Sequence, residues 1–194
     1  MKVAIVKYNA GNIRSVTNAL DRFGVESLLT DDPEILQSAD KVIFPGVGEA
    51  SSAMNHLSEK HLVEAIRSLK QPVLAICLGM QLLCSFSEEN DTECTGILPH
   101  VVKLFRSDAV KVPQIGWNTI SGFKSPLFDG IADNSHVYFA NSYFVETSGD
   151  TIAASVHGCE FSSAIGSRNF YGVQFHPEKS GPVGAKILEN FLRI

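Results

Sequence analysis

The stretch PVLAICLGMQ, residues 72–81, carries the main fold signal of the chain. Its apolar run from Val73 to Ile76 has the length of a buried strand, and a helical pattern resumes after Cys77 and Gly79. A cysteine at a tight strand-to-helix turn, followed two residues later by glycine, has the layout of a nucleophile elbow, which exposes the reactive atom. The first N–H groups of such a helix favour a thiolate and can hold an oxyanion. The stretch predicts a nucleophilic cysteine, with a buried core cysteine as the alternative.

Strands and helices alternate on both sides of this stretch. The predicted strands cover residues 3–7, 25–29, 41–44, 73–76, 101–104, 136–139, 152–157, 162–165 and 170–175. The predicted helices cover residues 12–23, 33–38, 49–58, 61–69 and 183–192. This alternation predicts an α/β fold with right-handed crossovers and a mainly parallel sheet. Ligands of such sheets bind outside the carboxyl ends of strands, where both Cys77 and the turn at residues 45–48 fall.

A candidate base for the cysteine lies in the stretch FYGVQFHPEK, residues 170–179. His176 and Glu178 are two residues apart, so in an extended chain they project to the same side, and Pro177 fixes the backbone between them. Glu178 can then orient His176, while His176 takes the proton of the Cys77 thiol. The pattern predicts a Cys77, His176, Glu178 triad; the alternative is a structural histidine at a strand end.

The bulk composition restricts the class of protein. At 194 residues the chain suits a single domain, residues 1–194, with 44% hydrophobic and 19% charged residues. The net charge of −5 and the lack of a basic run argue against nucleic acid as the main partner. The apolar stretches are too short for a signal peptide or a membrane span, which makes a cytoplasmic location the default expectation.

The four cysteines do not form a metal-binding pattern. No Cys-x-x-Cys pair occurs, and no histidine stands at ligand spacing, so we expect neither a metal nor another cofactor. Cys84, Cys94 and Cys159 are predicted to be reduced thiols. We expect Cys84 in the core and Cys94, which follows the polar stretch at residues 88–93, on the surface.

Several segments of the chain resemble those of a known family. Residues 76–81 (ICLGMQ) and 174–178 (QFHPE) look like the paired signatures of the class I (triad) glutamine amidotransferases. Residues 8–15, 113–118 and 138–143 resemble one branch, the glutamine amidotransferase subunit of imidazole glycerol phosphate synthase. The resemblance spans the whole chain. It implies the flavodoxin-like α/β fold of that family, in which helices flank a central mixed, mainly parallel sheet.

The resemblance also implies an activity and a partner. Cys77 would hydrolyse glutamine to glutamate and ammonia through a thioester. The ammonia would pass through a protected channel to a (β/α)8-barrel cyclase subunit in a heterodimer for histidine biosynthesis. Asn12, Trp117, Tyr138 and Lys179 would lie at or near that interface; for Trp117 a core position is an equally good interpretation.

Two further groups of residues are assigned to the reaction. For the oxyanion, Leu78 N–H is one natural donor, being the residue after the nucleophile. The resemblance places the second donor at Val47 or Gly48, in a turn whose glycines, including Gly46, let backbone approach a ligand closely. By resemblance, the residues that recognise glutamine are Gly46, Gln81, Glu89, Ser142 and Tyr143, with Glu88 as a rival to Glu89.

One departure from the family leaves alternatives open. The family commonly has histidine where this chain has Asn141, which puts in doubt any proton-linked or interface role of that side chain. A glutaminase paired with a related barrel that aminates a nucleotide sugar or a surface-polysaccharide precursor would carry similar motifs. A non-catalytic binding module and a cysteine peptidase are more distant alternatives, and intact Cys77, His176 and Glu178 argue against the first of them.

Overall fold

A computed structural model of the chain describes residues 1–8 and 13–194. Its α-helices are α1 (Ile13–Asp21), α2 (Pro33–Ser38), α3 (Ala50–Glu59), α4 (Leu62–Ser68), α5 (Leu78–Leu82) and α6 (Gly181–Arg193). Its strands are β1 (Val3–Val6), β2 (Ser27–Thr30), β3 (Lys41–Gly46), β4 (Val73–Cys77), β5 (Phe86–Ser87), β6 (Thr92–Glu93), β7 (Val101–Leu104), β8 (Gln114–Ile120), β9 (Ser135–Asn141), β10 (Tyr143–Val145), β11 (Thr151–His157), β12 (Cys159–Ser167) and β13 (Phe170–Val173). Short 3-10 helices cover Glu89–Asp91, Pro126–Phe128 and Pro177–Lys179. None of these described helices is long and apolar enough to cross a bilayer.

The main sheet has seven strands in the order β11-β12-β13-β4-β3-β1-β2. Five of them, from β13 to β2, are parallel to one another. At one side of the sheet, β12 pairs antiparallel with both β13 and β11. The prediction of a central mixed, mainly parallel sheet is therefore confirmed. The antiparallel strands matter for the site, because they bring the chain back from the far edge and insert β13 beside β4.

Helices cover both faces of this sheet, and alternate residues of each central strand serve opposite faces. In β1, Val3 and Ile5 pack in one apolar cluster with α1 and α6, through residues such as Leu20 and Phe191. Ala4 and Val6 pack in the other cluster, which contains side chains of α2 to α5. Because both faces are buried, β1 and β4 are apolar along their whole length up to Cys77.

Two smaller sheets complete the second half. One has the order β10-β7-β5-β6, and the other is the antiparallel ribbon of β8 and β9, whose register runs from Gln114 opposite Asn141 to Ile120 opposite Ser135. Strand β8 was not predicted from the sequence, since glycine, tryptophan and asparagine at its centre break the apolar alternation that marks a strand. The predicted strand at residues 170–175 ends early, at Val173. Beyond it the backbone of His176 bonds to Tyr138 of β9 instead.

The prediction that Cys94 is exposed is wrong. Its side chain is only 7% exposed and belongs to the apolar cluster on the α2-to-α5 face of the main sheet. The reason is the pairing of β6 with β5: the N–H of Cys94 donates to the Ser85 carbonyl at 3.0 Å, which turns the thiol inward. Burial raises the pKa of Cys94 to about 12. Cys84 is buried as predicted, and Cys159 is exposed.

Candidate active site

The nucleophile elbow is built from the junction of β4 and α5. Cys77 ends the strand with φ 53° and ψ −112°, and α5 begins at the next residue. A positive φ in a non-glycine residue costs on the order of 1–3 kcal/mol, and such strain concentrates at functional sites. Gly79 makes the sharp turn possible, because a Cβ at this position would lie 2.0 Å from the carbonyl oxygen of Phe44 in β3. The first turn of α5 therefore sits directly against the backbone of the neighbouring strand.

His176 and Glu178 lie at the same carboxyl edge of the sheet as Cys77. The Nδ1 atom of His176 is 2.9 Å from Oε1 of Glu178, and both side chains are almost completely buried. The imidazole and the Cys77 side chain line one cavity, and their interaction raises the pKa of the imidazole. The structure thus brings the three predicted triad residues together at one cavity, with His176 hydrogen-bonded to Glu178.

Ser180 holds the His176 backbone in place. Its hydroxyl donates to the His176 carbonyl at 2.6 Å and accepts from the Tyr138 N–H of β9 at 2.9 Å. The His176 N–H in turn donates to the Tyr138 carbonyl at 2.8 Å. These bonds fasten the histidine segment to the ribbon of β8 and β9. Sequence reasoning did not single out Ser180, although it directly follows the predicted residues Glu178 and Lys179.

The charge state of His176 follows from its partners. Burial alone would lower the pKa of His176, but hydrogen bonds to Cys77 and Glu178, together with their negative charges, outweigh burial and raise the pKa to about 10. His176 is therefore protonated at neutral pH. A protonated imidazole at this place can act as the acid that a leaving group needs.

The Cys77→Ala variant should therefore lower the pKa of His176. Without the sulfur, burial is opposed by Glu178 alone, so the pKa should fall from about 10 by at least about one pH unit. Imidazole chemical shifts followed by NMR through a pH titration measure this directly. An unchanged titration of His176 would contradict an interaction between the imidazole and the sulfur.

A cavity of about 300 Å³ opens above Cys77 and His176. It is lined by seven other residues that the sequence assigned to the oxyanion site or to substrate binding: Val47, Gly48, Leu78, Gln81, Glu89, Ser142 and Tyr143. Gly46, which was also assigned to substrate binding, does not line it. This glycine lies beneath the cavity in β3, opposite Cys77 in the sheet register.

The turn after β3 is held in place by a buried tyrosine. Tyr8 is buried, and its hydroxyl donates to the Pro45 carbonyl at 2.7 Å. Burial raises the pKa of Tyr8, with a further rise from the nearby Cys77 charge, so the hydroxyl keeps its proton. A Cβ at Gly46 would lie 2.5 Å from this hydroxyl, and Gly48 has φ 111°, which side chains disfavour. The segment that leads to Val47 and Gly48 is thus held at Pro45 by Tyr8 and has, at Gly48, a backbone conformation that favours glycine.

The acidic segment after β5 places its two glutamates differently. Glu89 lines the cavity, and its carboxylate accepts from the Ala50 N–H at the start of α3 at 2.7 Å. Burial and the nearby Glu49 charge together raise the pKa of Glu89, against the lowering effect of the Ala50 hydrogen bond. Glu88 instead accepts from the Leu104 N–H and from Arg106, each at 2.8 Å, and does not line the cavity.

A carboxamide that was not assigned as a site residue reaches the sulfur. Gln174 is fully buried, and its Nε2 atom lies 3.7 Å from Sγ of Cys77. Its Oε1 atom accepts from Nε2 of Gln81 at 3.0 Å. The signal was present, since Gln174 lies within the stretch that contains His176. The register between β13 and β4 directs the Gln174 side chain to Cys77, and the sequence does not show this register.

Asn141 is buried and lines the cavity wall. Its amide nitrogen donates to the Tyr143 carbonyl at 2.9 Å, so its hydrogen bonding is local. This position, where the family commonly has histidine, therefore lines the cavity, and its amide nitrogen is hydrogen-bonded to Tyr143 and not to Cys77, His176 or Glu178.

The predicted interface residues share one surface on the ribbon of β8 and β9. Trp117 is 58% exposed and packs edge-on against Tyr138, with ring centroids 6.1 Å apart. The ammonium of Lys179 lies 5.8 Å from the centre of the Tyr138 ring. Ile115, 67% exposed, continues this surface, and both Ile115 and Lys179 also line the cavity. Asn12, the fourth predicted interface residue, lies outside the described residues.

The described ranges contain no group of three or more His, Cys, Asp or Glu side chains that could hold a metal ion. The groups gathered at this site are a thiol, an imidazole and carboxylates.

Comparison with known proteins points to one family. Residues 5–194 match the family described as "Glutamine amidotransferase class-I". A curated relative from Bacteroides fragilis (strain YCH46), "Imidazole glycerol phosphate synthase subunit HisH", is 55% identical over 196 residues and is matched over 100% of both chains. The protein of the same name from Bacteroides thetaiotaomicron is 54% identical over 194 residues, with 99% of both chains covered. A solved structure described as a glutamine amidotransferase superposes with a TM-score of 0.77 at 18% identity, covering 98% of this chain and 97% of that one.

Proposed function

The chain belongs to the class-I glutamine amidotransferase family, and from this premise we propose that it is the glutaminase subunit of an imidazole glycerol phosphate synthase, folded as a single domain. The observation that carries the proposal is that Cys77 and His176 line one cavity and that His176 is hydrogen-bonded to Glu178. The relatives that bear the synthase name match over their full length, which supports the choice of this branch.

In the first half-reaction the Cys77 thiolate attacks the side-chain carboxamide carbon of glutamine. The new C–S bond yields a tetrahedral oxyanion, which Leu78 N–H and a second N–H from Val47 or Gly48 would hold. One such donor is typically worth about 3–4 kcal/mol of barrier. The C–N bond then breaks, and His176 gives its proton to the leaving nitrogen, so that ammonia departs and a γ-glutamyl thioester remains.

In the second half-reaction His176 is neutral and acts as the base. It takes a proton from water, the hydroxide attacks the thioester carbon, and the C–S bond breaks to release glutamate and the thiolate. Glu178 stabilises the imidazolium each time it forms and holds the ring in one orientation.

Recognition of glutamine would use the polar groups of the cavity wall. Glu89 offers a carboxylate to the α-ammonium, and Gln81, Ser142 and Tyr143 surround the remaining polar atoms. An ammonium beside Glu89 would also favour the charged form of this half-buried carboxyl. Gly46 contributes by letting the backbone beneath Cys77 pack closely.

The ammonia would pass to a (β/α)8-barrel cyclase subunit bound to the ribbon surface. An exposed tryptophan with an exposed isoleucine beside it is the kind of patch that a partner covers. Trp117, Tyr138 and Lys179 would contact the cyclase, and Ile115 and Lys179, which border both cavity and surface, would line the exit.

The proposal is tested by supplying the partner. We expect the chain to co-purify with the cyclase subunit and, together with it, to convert the ribonucleotide substrate and glutamine into imidazole glycerol phosphate and an aminoimidazole carboxamide ribotide. Glutaminase activity should rise about 10²- to 10³-fold in the complex, which is the effect of completing one oxyanion donor. Turnover only with a barrel that aminates a nucleotide sugar or a polysaccharide precursor would contradict the histidine-pathway assignment.

A further inference from the structure

Gln174 is positioned at the nucleophile by the main sheet. Strands β13 and β4 pair in parallel with Val173 opposite Ile76, so the next residues, Gln174 and Cys77, are neighbours at the end of this pairing. The Gln174 side chain is fully buried, and its amide nitrogen lies 3.7 Å from the Cys77 sulfur. This contact is additional to the one that His176 makes.

The orientation of the Gln174 amide follows from a chain of hydrogen bonds. A backbone carbonyl only accepts, so the Tyr143 carbonyl fixes the Gln81 amide with its nitrogen inward, at 3.1 Å. That nitrogen also donates to Oε1 of Gln174 at 3.0 Å. Because Oε1 of Gln174 is held by a donor, its Nε2 must be the atom that faces the sulfur.

We propose that Gln174 is a catalytic residue that donates an amide N–H to the Cys77 sulfur, and that Gln81 is the positioning residue that keeps this donor in place. The inference deepens the proposed glutaminase function. The sulfur carries negative charge before attack and again when the thioester is cleaved. His176 moves its proton to ammonia and then recovers one from water, whereas the Gln174 amide transfers none. Gln174 thus supplies a donor that stays constant through both half-reactions.

A substitution at Gln174 leaves the other groups near the sulfur unchanged. The titratable or charged side chains that face Cys77 or share its cavity are His176, backed by Glu178, the Tyr8 hydroxyl, Glu89, Tyr143 and Lys179. The thiol also lies 3.9 Å from the Ala140 carbonyl. Any difference between wild type and a Gln174 variant therefore reports on the amide.

The test is the pH dependence of Cys77 alkylation in the full chain. Iodoacetamide reacts with the thiolate, and mass spectrometry of the peptide that contains Cys77 gives its rate separately from those of the other three cysteines. In Gln174→Met, which keeps the length of the side chain but removes the donor, the pH of half-maximal rate should rise by about one pH unit. Alkylation below that pH should be about tenfold slower. A profile identical to that of the wild-type chain would overturn the proposal.

A matched control separates the contact from burial. Gln114→Met replaces another buried glutamine, on β8, that has no hydrogen bond to Cys77, and its profile should match wild type. If Gln174→Met does not fold by circular dichroism, Gln81→Met decides, because it frees the Gln174 amide to turn. It should shift the profile upward, and an unchanged profile would overturn the inference. Since the assay contains neither glutamine nor a partner, its outcome is independent of the proposed glutaminase activity.

Discussion

Replacement of Cys77 with alanine should reduce glutamine-dependent synthesis by the complex at least about 10⁴-fold and leave synthesis from free ammonium at the wild-type rate. The first effect follows because no other described side chain is placed to form the thioester: the remaining thiols are buried elsewhere, at Cys84 and Cys94, or exposed at Cys159. The second follows because the cyclase would use ammonia whatever its source. Product formation with glutamine and with ammonium chloride, measured side by side, gives both rates.

The matched control is Cys159→Ala, which removes the exposed thiol and should change neither rate. Equal loss of both activities in Cys77→Ala would contradict the scheme in which ammonia is made at one subunit and consumed at the other. Unchanged glutamine-dependent synthesis would show that Cys77 is not the nucleophile.

Replacement of Gly79 with alanine should destabilise the chain by at least about 3 kcal/mol. The added Cβ would lie 2.0 Å from the Phe44 carbonyl oxygen and 3.0 Å from the Phe44 carbonyl carbon, and both are backbone atoms that no side-chain rotation can move away. Either α5 shifts away from β3, or the chain fails to fold. A shift of about 1 Å at the Cys77 elbow would also cost about 10²-fold in turnover. Urea denaturation and glutaminase assays measure the two effects.

Gly149→Ala is the control for this variant. Gly149 lies in an exposed turn with open space around the position of a Cβ, so its stability should stay within about 0.5 kcal/mol of wild type. Equal stability of the Gly79 and Gly149 variants would mean that the contact between α5 and β3 does not constrain the elbow.

Much of the fold was predictable because its signals are local. Continuous apolar runs mark strands that are buried on both faces, and α2 coincides with its predicted range because Asp32 caps it and Pro33 begins it. Strand β4 was predicted because its apolar run is continuous. Strand β8 was missed, since its exposed Ile115 and Trp117 stand around a glycine and give no buried alternation. The exposure of Cys94 was predicted wrongly, because polar neighbours in the sequence do not show which way a side chain next to a strand points.

The sequence by itself determined the elements that form and the pairing of His176 with Glu178, because both depend on neighbours a few residues apart and on short-range backbone geometry. Only the tertiary structure decided that His176 and Gln174 meet Cys77, about a hundred residues earlier in the chain. That meeting requires β12 to turn back and place β13 beside β4 with Val173 opposite Ile76. The physical reason is that strand order and register are selected by burial of both faces of the whole sheet, a sum over distant contacts that no local stretch encodes.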